Sequence, residues 1–147
     1  MDSAKTILFL CTGNYYRSRY AEALFNHRAP LAGLRGFVAQ SRGLAIEFSN
    51  LVGPVSVHTR EAATRQGVPL DERAPRTLTY GDLRAAHLVI AVKEAEHRPM
   101  IDRSFPGWSN RVVFWHVHDI DVALPDVALV EIEGHVDRLI AQLKAMK

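Results

Sequence analysis

Within the stretch ILFLCTGNYYRSRYAEALF (residues 7–25), Cys11 and Arg17 bracket five residues, and Ser18 follows directly. Cys11 is the only cysteine in the chain. An apolar run ends on it, and a helical pattern begins at Ser18, so the residues between form a tight loop. A loop of this length can turn successive backbone N–H groups inward to make an anion nest. The helix behind it points its positive end at the same spot. Arg17 adds a planar fork that grips two phosphate oxygens. The sulfur of Cys11 would then lie at the base of an electropositive bowl, surroundings that favour a thiolate. A thiolate so placed attacks phosphorus in line and carries a covalent phosphoryl group. The N–H groups and Arg17 stabilise charge on the equatorial oxygens. Ser18 is placed to donate a hydrogen bond to the sulfur and ease its departure. Gly13 and Asn14 suit the loop because both tolerate left-handed backbone. The bland alternative makes Cys11 a buried small hydrophobe and Arg17 a surface charge. The strand before the loop, the Gly-Asn pair and the helix entry through Arg-Ser weigh against it.

These residues need elements to hold them. TILFLC (6–11) is a continuous apolar run, as expected for a strand buried on both faces. A helix is expected from Ser18 to about His27, with Ala21, Leu24 and Phe25 on one side. GFVAQS (36–41) reads as a second strand. Pro54 opens a helix to Gln66, which Gly67 stops. A short helix is expected near 80–85, then a third buried strand in HLVIAV (87–92). KEAEHRPMI reads as a short helix and RVVFWHV (111–117) as a fourth strand. From about Asp126 to Met146 the pattern is an amphipathic helix, with Leu129, Ile132, Val136, Leu139, Leu143 and Met146 spaced by threes and fours. Strands alternating with helices predict an α/β fold, a parallel sheet covered by helices on both faces. Ligands bind such sheets at the carboxyl ends of the strands, and Cys11 ends one.

The 147 residues suit one domain, 1–147, with a real core. A net charge of +2 gives no argument for a nucleic-acid partner or a membrane surface. A lone cysteine makes no internal disulfide, so a reducing, cytoplasmic setting is expected. The N-terminal apolar run is too short for a signal peptide, and no segment approaches the ~18 apolar residues of a membrane span.

LFLCTGNYYRSRYAEALF resembles the phosphate-binding loop of the low-molecular-weight protein tyrosine phosphatases. QSRGL, GVPLDERAPRTLT, DLRAAHLVIAV and FWHVHDI resemble further segments of the family, so the resemblance covers nearly the whole chain. It implies a four-stranded parallel sheet flanked by helices, with the phosphate loop after the first strand. It also implies a two-step hydrolysis without metal or cofactor. By the same resemblance Cys11 matches the nucleophile, and Thr12, Gly13, Asn14, Tyr15, Tyr16 and Arg17 match the phosphate loop. Ser18 matches the hydroxyl that assists the thiolate, and Ser41 the serine that supports the loop through Asn14. Asp119 matches the general acid, with Asp121 and Asp126 as nearby alternatives. Several residues depart from the family pattern. Ile120 stands where proline follows the acid, and DIDVALPD lacks the aromatic wall. Tyr16 replaces a second cysteine, Tyr15 sits at a specificity position, and Arg19 stands where proline is usual.

The expected activity is therefore a phosphomonoester hydrolase, first a protein tyrosine phosphatase. The alternatives are a phosphoarginine or small-molecule phosphatase, an arsenate reductase-like protein, or a phosphoprotein-binding module without turnover. The arsenate chemistry passes oxidation along further cysteines, and this chain has none. The expected partner is a phosphorylated protein or a small phosphoester, and the expected state a monomer or weak dimer. His116 and His118 share a strand face beside Asp119. They are read as solvent-facing histidines rather than a metal site.

Overall fold

The computed structural model describes residues 4–49, 51–119 and 124–146. Strand β1 (Lys5–Cys11) lies inside a four-stranded sheet. It pairs in parallel with β2 (Phe37–Gly43) on one side and β3 (Leu88–Ala91) on the other, and β3 pairs in parallel with β4 (Val112–Phe114). The register sets Cys11 opposite Gly43, so the carboxyl ends of β1 and β2 meet at one edge.

The unbroken apolar run of β1 has a direct structural reason. Alternate side chains enter separate cores on the two faces of the sheet. Ile7, Phe9 and Cys11 join one core with residues of α1 (Arg17–Leu31), α2 (Val57–Gln66) and α5 (Pro125–Ala145). Leu8 and Leu10 join the other, with Leu83 of α3 (Tyr80–Ala85) and Ile101 of α4 (Glu94–Ser104). Helices thus cover both faces, as expected. Leu129, Ile132, Val136, Leu139 and Leu143 of α5 are all buried; each side chain of this kind contributes roughly 1.5–3 kcal/mol of apolar burial.

Several boundaries differ: β2 runs on to Gly43 and α4 to Ser104, and other departures have a visible cause. Helix α1 runs past His27 to Leu31 and takes in Pro30, whose missing N–H removes one bond in the last turn. Helix α2 starts at Val57 rather than Pro54, because Ser56 caps it by accepting from the N–H of His58 at 3.2 Å. Its end at Gly67, with φ of 66°, is as expected. Strand β4 spans only Val112–Phe114. Beyond it the chain stays tied to β3 through Trp115 N–H to Ala91 O (2.9 Å) and Val117 N–H to Val92 O (2.7 Å). Met146, assigned to the apolar face of α5, follows the helix and is 81% exposed at the edge of a cavity lined also by Leu139 and Leu143.

Candidate active site

Residues 12–16 connect β1 to α1, and the carbonyls of Cys11, Thr12, Asn14, Tyr15 and Tyr16 are held from outside the hollow. Cys11 O accepts from Leu44 N–H at 2.9 Å and Thr12 O from Ala45 N–H at 2.9 Å. Asn14 O accepts from Arg19 Nη1 at 3.2 Å, and Tyr15 O from Ser56 N–H at 2.9 Å. Tyr16 O accepts from the Thr59 hydroxyl at 3.0 Å. In a trans peptide the next N–H points opposite to the carbonyl. The N–H groups of Thr12, Gly13, Tyr15, Tyr16 and Arg17 therefore face the hollow of the loop. Asn14 has φ of 49°, the one positive φ at a non-glycine among the described residues. Gly13 does not share that conformation. It serves through close approach instead, since a Cβ there would stand 3.2 Å from Ser49 Oγ.

Polar side chains fix the floor of this hollow. Cys11 Sγ lies 2.9 Å from Ser18 Oγ. The amide of Asn14 donates to Ser18 Oγ (3.1 Å) and to Ser41 Oγ (2.9 Å). Ser18 Oγ accepts from Asn14, and its own proton is free to be given to the sulfur when that is a thiolate. Asn14 Oδ1 accepts from Arg76 N–H at 2.9 Å, which fixes which way the amide faces. The Ser41 hydroxyl donates to Glu22 Oε1 at 2.6 Å, and Arg73 binds the same carboxylate at 2.9 Å. The Asn14–Ser41 bond is thus one link of a longer, partly buried chain.

Arg17 is 2% exposed, and its donors are divided. Nη1 donates to Val117 O (2.9 Å) and Glu96 Oε1 (3.2 Å), while Nη2 donates to Glu96 Oε2 (2.7 Å). Glu96 thus occupies the end of the guanidinium. Nε is buried with no hydrogen-bond partner. The edge formed by Nε and Nη2 is the one left to grip a ligand. Asp119 Oδ2 stands beside that edge, 3.5 Å from Nη2.

Glu96 and His97 did not figure in the sequence reading. His97, fully buried, accepts from the Lys93 N–H at Nδ1 (3.2 Å), so its proton is on Nε2. Nε2 lies 3.0 Å from Glu96 Oε2 and 3.1 Å from Thr12 Oγ1. The Thr12 hydroxyl in turn donates to Glu96 Oε2. Burial opposes ionisation of Glu96, but the bonds from His97 and Arg17 outweigh it and hold the carboxyl well below the usual carboxylate range. Burial also lowers the pKa of His97 and keeps it neutral. Burial opposes the charge on Arg17 too, yet the Glu96 bond and the nearby Cys11 raise its pKa. An acidic residue and a histidine in the first turn after the third strand, at the ligand-binding end of the sheet, were the available signal.

Over the sulfur lies a cavity of about 420 Å³, lined among others by Tyr15, Tyr16, Leu51, Val57, His58 and Asp119. Tyr15 is half-buried at the rim and its hydroxyl donates to Val52 O. Tyr16 is buried, its hydroxyl has no partner, and burial followed by the charge of Asp119 pushes its pKa up to about 12. Asp126 lines a neighbouring cavity with His58, Glu61 and Arg65, close enough for its charge to act on Tyr16. Asp121 and Ile120 lie outside the described residues. His116 and His118 are exposed, and no group of three or more metal-binding side chains occurs among the described residues.

Comparison with known proteins agrees with this geometry. A sequence model of the family "Low molecular weight phosphotyrosine protein phosphatase" matches residues 6–126. The chain is 32% identical over 127 residues to the low molecular weight protein-tyrosine-phosphatase YfkJ of Bacillus subtilis, covering 82% of this chain and 79% of that protein. It is 33% identical over 106 residues to a protein-arginine-phosphatase of Bacillus subtilis, covering 72% of this chain and 67% of that protein. The crystal structure of YfkJ superposes with a TM-score of 0.85 at 22% identity, covering 99% of this chain and 98% of that one.

Proposed function

The chain belongs to the low molecular weight phosphotyrosine protein phosphatase family and is a phosphatase; from that premise we propose that Cys11 is its nucleophile and phosphotyrosine in proteins its substrate. The observation that carries the assignment of roles is the free edge of Arg17. A buried Nε–H without partner, set beside a hollow lined by N–H groups and floored by a sulfur, suits a tetrahedral anion.

In the first step the Cys11 thiolate attacks phosphorus as the ester P–O bond breaks. Asp119 gives its proton to the departing oxygen, and the alcohol leaves. In the second step the Asp119 carboxylate takes a proton from water, whose oxygen attacks phosphorus. The S–P bond breaks, inorganic phosphate leaves, and the Ser18 hydroxyl steadies the restored thiolate. Arg17 and the loop N–H groups bind the equatorial oxygens in both steps, with the greatest effect where charge accumulates. Thr12, Gly13, Tyr15 and Tyr16 supply N–H groups, while Asn14 and Ser41 keep the loop in shape.

The apolar surfaces of Leu51, Val57 and the two tyrosines favour an aromatic ring above the phosphate. Phosphoarginine is the second reading, supported by the likeness to a protein-arginine-phosphatase. A lone cysteine that must remain a thiolate suits a reducing compartment, the cytoplasm, and a monomer or weak dimer leaves the rim open to protein substrates.

The test is a rate comparison on phosphotyrosine, phosphoserine and phosphoarginine peptides, run with wild type and with Cys11→Ser. The phosphotyrosine peptide is expected to turn over fastest. Cys11→Ser is expected to lose turnover while still binding inorganic phosphate, because the cradle and Arg17 remain. Faster phosphoarginine turnover would favour the second reading, and an active Cys11→Ser would exclude the covalent route.

A further inference from the structure

Arg19 is 2% exposed and lies two residues beyond Arg17, yet it takes no part in the reaction described above. Its side chain runs behind the loop. Nη1 donates to Asn14 O (3.2 Å) and Pro54 O (3.1 Å), and Nη2 donates to Asp71 O (2.8 Å) and Arg73 O (2.7 Å). All of these acceptors are backbone carbonyls, and among the described residues Arg19 makes no ion pair. The carboxylates of Glu22 and Asp71 feel its charge but bond Arg73 instead.

These carbonyls belong to three segments, and each segment orients part of the cradle. Asn14 is the left-handed residue of the loop, a conformation that surrounding structure must impose. Pulling its carbonyl outward turns the Tyr15 N–H inward, since both sit on one trans peptide. Pro54 leads to Ser56, whose N–H holds Tyr15 O at 2.9 Å and so turns the Tyr16 N–H inward. Asp71 and Arg73 lead to Arg76, whose N–H fixes the Asn14 amide at 2.9 Å. Only a planar group with several divergent donors spans such a set of carbonyls. A buried cation also raises the positive potential under the loop, which helps an anion and a thiolate alike.

We infer that Arg19 is a positioning residue for the phosphatase reaction, a clamp that ties residues 54, 71 and 73 to the back of the phosphate loop and aims the Tyr15 and Tyr16 N–H groups at the bound phosphoryl group. The inference rests on the proposed roles of the loop and Arg17. Its test compares wild type, Arg19→Lys and Arg19→Met. Three quantities are measured: kcat and KM for p-nitrophenyl phosphate, competitive inhibition by inorganic phosphate, and thermal unfolding with and without phosphate. Arg19→Met is expected to bind phosphate about ten- to a hundredfold more weakly and to lose kcat/KM by a similar factor, the scale on which a misplaced positioning group acts. Arg19→Lys keeps the cation but delivers its donors from one nitrogen, so it should fall between, and it supports the test if Arg19→Met does not fold. A folded variant that melts earlier yet keeps wild-type phosphate inhibition and kcat/KM overturns the inference and leaves Arg19 a structural residue. Failure of the underlying reading looks different: wild type itself would show neither turnover nor inhibition by phosphate, and the inference would fall with it.

Discussion

Asp119 and Arg17 meet at the mouth of the cavity, one side chain 39% exposed and the other 2%. The difference suits their separate tasks. A group that grips the phosphoryl oxygens must be rigid, whereas one that gives a proton and later takes one from water needs access to solvent. General acid catalysis contributes typically 10²–10⁴ in rate and matters most for basic leaving groups. Asp119→Asn is therefore expected to slow phenyl phosphate by about 10² or more while slowing p-nitrophenyl phosphate far less. Steady-state kinetics on the two esters reads this directly. A selective loss in Asp126→Asn instead would move the acid to a residue that now bonds the Val127 N–H and faces another cavity. The end of Arg17 is held by Glu96 and by Val117 O, so the guanidinium is oriented before any ligand arrives. Such preorganisation is what makes electrostatic stabilisation effective.

At the scale of elements, the loop depends on the end of β2 as much as on β1. Gly43 lies across from Cys11, and the loop packs directly on it. A Cβ at Gly43 would stand 2.5 Å from Ile46 Cγ1 and 3.1 Å from Asn14 Cβ. The first contact requires Ile46 to move, and the second presses on the residue whose left-handed backbone shapes the cradle. Gly43→Ala is expected to destabilise the protein by about 1–3 kcal/mol, the usual range for overpacking, and to weaken phosphate binding. Urea unfolding and phosphate inhibition measure the two effects. The residue that the resembling segment QSRGL supplied as a motif is thus a contact requirement between β2 and the loop.

For the molecule as a whole, the Glu96–His97 pair, partly buried at Glu96 and fully at His97, ties stability to pH. Burial lowers the pKa of His97 from its ordinary 6.5, so the unfolded chain takes up a proton that the folded chain refuses. Its stability contribution is full above 6.5 and is lost as pH falls toward the folded value. Glu96 is lowered from 4.5, so its contribution is full above 4.5 and is lost as pH falls further. Stability should thus decline in two stages on acidification, first below about 6.5 and again below about 4.5. Denaturant midpoints measured across this range check it. His97→Gln should flatten the first stage, and an unchanged profile in that variant would assign the stage to other groups.

The amino-acid sequence by itself determined what depends on neighbours along the chain. An apolar run fixes a strand buried on both faces, alternation of strands and helices fixes a parallel sheet, and Cys11, Arg17 and Ser18 come together because one short loop carries them. Asn14 reaches Ser41 as the family pattern implies. Tertiary structure alone decided what occupies the other sides of these groups. Glu96 is 79 positions from Arg17, and no local spacing reports that contact. Arg19 is two residues from Arg17, so the helix turns the two side chains to different sides. Nothing in composition says that both guanidiniums are buried, one aimed at a ligand and one at backbone carbonyls. Charged residues are almost never fully buried unless partnered, and most of the partners here come from segments far along the chain that only folding assembles. Met146 is a similar case: the apolar spacing includes it, yet it lies past the end of α5 and is exposed.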